Sequence, residues 1–231
     1  MTLELATAAL LIAVPIAFNL AFLDLGRRFD YPNILREPAD LILRRFHAGG
    51  TALVVRWQIL LGCALGMLPL VSLVAVTFEA PIPLAVLGVL AGSAAAIVQA
   101  LGLARWPFAV PELARRYVEA DGPEGASTRQ TVELVFTTLH RLLGVGIGEH
   151  LGYLLTGAWT TIVAASLAST ASVAPWLAWS GVPIGAALII GSLEFVGPNE
   201  SKGWSVAATV VPVAYVAWSL WLIALGISLI I

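Results

Sequence analysis

The chain has 231 residues, of which 59% are hydrophobic and only 11% charged, with a formal net charge of −2 and a mean hydropathy of +0.93. Soluble domains carry about a quarter charged residues, so a soluble globule and a disordered chain are both excluded, and without a basic surplus nucleic acid is excluded as a partner. What remains is an all-α integral membrane protein forming a single transmembrane domain over residues 1–231.

A bilayer core of ~30 Å needs about 20 apolar residues in a helix, and six stretches supply them. The first, residues 3–23, opens with the acidic MTLEL and has no small-residue cleavage site at the right distance. It is therefore expected to be a retained helix rather than a signal peptide. After it, in EPADLILRRFH, Pro38 suits a first helical position, and Ala39, Ile42, Leu43 and Phe46 form a stripe opposite Asp40, Arg44 and His47. That pattern predicts an amphipathic helix over 38–47 lying on the membrane surface. The second span, 51–76, carries Arg56 and Trp57 near its start and Pro69 inside it; the third, 82–106, ends on Gln99, Arg105 and Trp106.

The turn-rich EADGPEGAST follows. Ser127 with Gln130 three residues on is a capping-box signature, and the helix it opens is too polar to span. Residues 127–143 are expected along the interface, running through the Gly-rich GVGIG into the fourth span at 146–170, which opens with Glu149, His150 and Tyr153. The fifth span, 174–195, closes on Glu194, and the sixth covers 205–230. Small-xxx-small spacings at Gly62–Gly66, Gly88–Gly92, Gly144–Gly148–Gly152 and Gly181–Gly185 favour close helix approach. Pro15, Pro69, Pro183 and Pro212 fall inside spans, where kinks are expected. No internal repeat is evident.

All twelve Lys and Arg fall before, between or just inside the same ends of these spans, from Arg27 to Lys202. By the positive-inside rule that side is the cytoplasm, both termini face outward, and the membrane is expected to be a bacterial plasma membrane. Trp57, Trp106 and Trp204 are expected in the inner aromatic belt, Trp176 and Trp179 in the outer one.

Polar and ionisable groups at membrane depth are costly and carry functional hypotheses. Here they are one-sided. Arg56, Gln99, Arg105 and Trp106 sit at the basic ends of spans 2 and 3, while Glu149, His150, Tyr153 and Glu194 sit at the basic ends of spans 4 and 5. A through-pore needs polar stations across the whole thickness; this asymmetry favours a pocket open on one side, and these eight residues are the candidate ligand contacts. The competing reading is that Arg56, Arg105, Glu149 and Glu194 neutralise one another and only stabilise the bundle. Adjacent Glu149 and His150 lack the i, i+3 or i, i+4 spacing of helical metal motifs, and the single cysteine, Cys63, lies in an apolar run, so no metal and no cofactor are expected. General acid–base chemistry by Glu149 and His150 is possible, but no nucleophile motif accompanies them.

The blocks GRRFDYPNILREPADLILRRF, RWPFAVPELAR, GEHLGYLLTGAWT and SLEFVGPNESKGW together resemble a bacterial family of six-span membrane proteins, domain of unknown function 4386, over roughly residues 10–229. The resemblance implies architecture and no mechanism. The functional expectation is a protein that binds or senses a small amphipathic or lipid-like ligand from the basic side, with membrane lipids as its surroundings. A membrane-embedded enzyme using Glu149 and His150, a non-catalytic subunit docking a partner, and a transporter are the alternatives. Oligomeric state is left open.

Overall fold

The Thr2 hydroxyl accepts from the Leu5 backbone N–H at 3.3 Å and so caps the first helix, α1 (Leu3–Phe29). The sequence ended the first span at residue 23, but the helix carries on for a further turn and a half. Arg27 and Arg28 stand in its last turn, where the helix dipole favours cations, and Asp30 closes it with φ of 57°. The computed structural model describes residues 2–231, and for residues 123 and 124 the backbone alone.

The surface helix expected at 38–47 is helical but not separate. It forms the first turns of α2 (Ala39–Leu65), which bends at Gly50, where φ is 53° and ψ −154°. Only glycine adopts such a conformation without strain. The rest of the second span is broken at Gly66, and α3 (Met67–Thr77) completes it. The break has a local cause: Pro69 cannot donate to the Leu65 carbonyl, and its ring crowds that group. The third span is α4 (Ile82–Phe108), followed by α5 (Val110–Glu119), an amphipathic helix the sequence pattern did not reveal.

The polar helix forms as α6 (Gly122–Leu139) and passes without interruption through a π-helical segment, His140–Leu151, into α7 (Gly152–Thr170). The 46 residues from Gly125 to Thr170 make a helical run of about 70 Å, more than twice the hydrocarbon thickness. Next come α8 (Pro175–Gly191) and α9 (Ser205–Ser228). Among the described residues there is no strand. Five helical runs are long and apolar enough to cross a membrane, and the shorter α8 is apolar as well. Leu20, Leu90, Val213 and Leu220 are more than 60% exposed, an apolar exterior that suits lipid and not water. This is a multi-pass, all-α membrane protein.

α7 packs most extensively on α8 and α4, while α9 closes on α1 and α8. Glycines set the crossings. A Cβ on Gly102 of α4 would lie 2.6 Å from the Gly148 Cα, and one on Gly185 would lie 2.6 Å from the Gly157 carbonyl oxygen, so backbones touch there as small-residue packing allows. Gly62, by contrast, has open space around it. Two main apolar clusters result. One, away from the basic end, gathers Leu11, Leu70, Trp159, Trp218 and Leu222. The other gathers Phe29, Phe46, Trp57, Trp106 and Phe136 at the basic end. Trp57 and Trp106 are thus fully buried. They form the centre of this cluster rather than an interfacial belt; Trp176 and Trp179, 69% and 61% exposed, stand where belt residues would.

Candidate functional site

The eight candidate side chains divide into two groups. Arg56 is tied down: its Nε donates to Asp24 Oδ2 at 2.7 Å and its Nη1 to the Ala52 carbonyl. Gln99 donates to Thr156 Oγ1 at 3.0 Å, occupying space that a Cβ on Gly152 would invade. Arg105 is buried, its Nη1 bonded to the Gly102 carbonyl and its Nη2 3.4 Å from His140 Nδ1. Its guanidinium lies 5.1 Å from the Trp106 ring centre, a cation–π contact, in room left by Gly144. Trp106 itself stacks on Trp57. None of these four lines the cavity between the π-helical segment and the end of α8.

The other four do. Glu149, His150, Tyr153 and Glu194 line a cavity of about 160 Å³ between the π-helical segment and the end of α8, together with Arg141, Val145, Gly146, Ser192 and Phe195. A π-helical turn widens the helix and re-aims its side chains, and such turns gather at functional sites. His150 Nδ1 lies 2.7 Å from the Ser192 carbonyl oxygen. A carbonyl only accepts, so Nδ1 carries the hydrogen, and Nε2 is the acceptor of the ring in its neutral form. Glu194 faces Arg36 at 3.7 Å, and its main chain is fixed by the Trp204 N–H donating to its carbonyl at 2.7 Å. Arg141 donates to both the side chain and the carbonyl of Glu200 and lies over the Phe195 ring.

Glu149 differs from all of these. Among the described residues it makes no hydrogen bond and no ion pair. The competing reading, mutual neutralisation of Arg56, Arg105, Glu149 and Glu194, is not what forms: Arg56 pairs with Asp24 and Glu194 with Arg36. No group of three or more His, Cys, Asp or Glu able to hold a metal ion occurs among the described residues.

A protein family described as a domain of unknown function (DUF4386) matches residues 6–226. The chain belongs to that family. Neither a curated protein nor a solved structure matches it. In this DUF4386 member, sequence reasoning missed four contributors to the site's surroundings. Arg36 and Tyr31 come from the loop after α1, where the Tyr31 phenol is held above its ordinary range, first by burial and then by Glu149. Arg141 and Phe195 flank the cavity itself. Tyr31, Arg36 and Phe195 sit inside the sequence blocks that carried the family resemblance, and Arg36 and Arg141 belong to the basic residues gathered at one end of the spans.

Proposed function

We propose that this DUF4386 protein binds a small amphipathic ligand in the cavity at the basic end of its bundle. One observation carries the reading. Glu149 lines a cavity of about 160 Å³ with no hydrogen-bonding or ion-pair partner among the described residues. An ionisable group deep in a membrane bundle that served only stability would be paired, because leaving it unpaired costs several kcal/mol. The cavity walls combine apolar surface from Val145 and Val196 with a few polar groups, the usual make-up of a small-molecule site.

The one-sided distribution of basic residues supports a cavity on the cytoplasmic side of a bacterial plasma membrane, with both termini outside. Membrane lipids or small amphiphiles partitioning into the inner leaflet would then reach it. Native mass spectrometry of protein extracted in a mild non-ionic detergent tests the reading. A bound molecule retained by the parent and absent from Gly146→Leu, whose added side chain would fill the cavity, is the expected result. Identical spectra for the two proteins, both free of adducts, would overturn it.

A further inference from the structure

Resting on that reading of the cavity as a ligand site, we infer that its ligand carries an organic ammonium head group, with Glu149 as the counter-ion. The charges on the walls are already sorted by sign. Arg141, the one arginine among the described lining residues, turns its Nη2 to both the carboxylate and the backbone carbonyl of Glu200. Glu194 is shared with Arg36 at 3.7 Å. Of the two wall carboxylates, only Glu149 has neither a hydrogen bond nor an ion pair among the described residues. Arg105 turns its Nη1 and Nη2 to Gly102 and His140 and donates no hydrogen bond to Glu149.

The neutral hydrogen-bonding groups point the same way. His150 spends its Nδ1–H on Ser192, leaving Nε2 as an acceptor. Gly191 and Ser192 bring the C-terminal end of α8 to the cavity wall, and the negative pole of a helix dipole favours a cation. The Tyr153 ring adds an aromatic surface, and such surfaces attract ammonium groups. An anionic head would meet two carboxylates, and the one arginine among the described lining residues already pairs with Glu200. Size sets the remaining limit. A cavity of about 150 Å³ accepts a benzene-sized molecule, so the 160 Å³ here takes an ammonium with a few carbons while any longer chain extends outside.

The ammonium can belong to a phospholipid head group or to a soluble amine, and the test separates them. Decylammonium, decanol and decanoate are titrated against the protein in maltoside micelles, and binding at the site is the part lost in Gly146→Leu. The expected result is decylammonium binding at least tenfold tighter than either of the others. Glu149→Gln should weaken decylammonium at least tenfold and leave decanol unchanged. Competition by phosphatidylethanolamine doped into the micelles, with none from phosphatidylglycerol, would assign the head group to a lipid. Competition by millimolar ethylammonium, with none from phosphatidylethanolamine, would assign it to a soluble amine.

Equal, Gly146→Leu-sensitive binding of all three ten-carbon probes would overturn the ammonium inference and leave the amphiphile site standing. No Gly146→Leu-sensitive binding of any probe would overturn both. Gly146→Leu is suited to this role because a Cβ at Gly146 meets only the Arg141 carbonyl, at an ordinary 3.6 Å. The variant is expected to fold. The preference among the three probes is read on the parent protein and needs no substitution at Glu149.

Discussion

Trp57 of α2 and Trp106 of α4 stack with ring centres 4.5 Å apart and planes within 9° of parallel. Phe29 and Phe46 close on Trp106 from 5.6 and 5.8 Å, so the pair is the hub that joins α1, α2 and α4 at the basic end. Neither indole N–H has a hydrogen-bond partner, and the contribution is therefore one of packing and ring contact. Trp106→Ala should destabilise the purified protein by roughly 3–5 kcal/mol, whereas Trp176→Ala, at an exposed site, should change it by no more than about 0.5 kcal/mol. Thermal melts in one detergent compare them. A similar loss in both would remove the hub role.

The crossing of α4 with the π-helical segment depends on backbone contact at Gly102 and Gly148. A Cβ on Gly102 would meet the Gly148 Cα at 2.6 Å and the Leu143 carbonyl oxygen at 2.9 Å, both main-chain atoms that can yield only if a helix moves. Gly102→Ala is expected to cost about 1–3 kcal/mol. Gly62→Ala, in open space, should instead gain about 0.5–1 kcal/mol from reduced backbone entropy in the unfolded chain. Opposite signs for these two glycines in the same melting assay are the outcome to look for.

Glu149 and Asp24 make a second contrast. Asp24→Asn removes a real partner from Arg56, but the two side chains are 46% and 29% exposed, so the cost should lie near the ~0.2–1 kcal/mol of solvent-screened pairs. Glu149→Gln breaks no contact and should leave the melting temperature within experimental error or raise it slightly. If Glu149 were half of a buried structural pair, its loss would cost about 3–5 kcal/mol. A drop of that size would count against the proposed site.

At the exposed helix α5, beyond the end of the third span, hydrogen bonds from Arg116 and then Arg115 hold the Glu112 carboxyl below its ordinary range. A carboxyl depressed in the folded state contributes stability above its unfolded pKa of about 4.3, and that contribution fades as pH falls through the folded value. Parent and Glu112→Gln should differ in stability at neutral pH and converge under acid. A gap that widens on acidification would contradict the assignment.

The proposed orientation rests on the grouping of all twelve basic residues at one end of the spans. A reporter active only outside the cytoplasm should give signal when fused after Ile231. The same reporter inserted at Ala120–Asp121, between α5 and α6, should be silent. Reversal of the two signals would invert the topology.

The class and the approximate positions of the long apolar helices were legible from the residues alone, because bilayer thickness imposes a length that reads directly along a linear chain. The same holds for the clustering of polar groups at one end, since an ionisable residue such as Glu149 or His150 inside an apolar run stands out wherever it falls. The bend near Pro69 was legible for a local reason, the missing N–H. Other features were not. Which face of each helix turns inward is poorly encoded when all faces are apolar, as lipid removes the polar side that marks the exterior of a soluble helix. Sequence could not say that Trp57 and Trp106 meet in the core instead of lying in a belt. Nor could it reveal that Glu194 takes Arg36, that Arg56 takes Asp24, or that Glu149 is left facing a cavity. Those outcomes depend on helix rotation and on glycine-governed approach distances, which are set only when α4, the π-helical segment and α8 pack together.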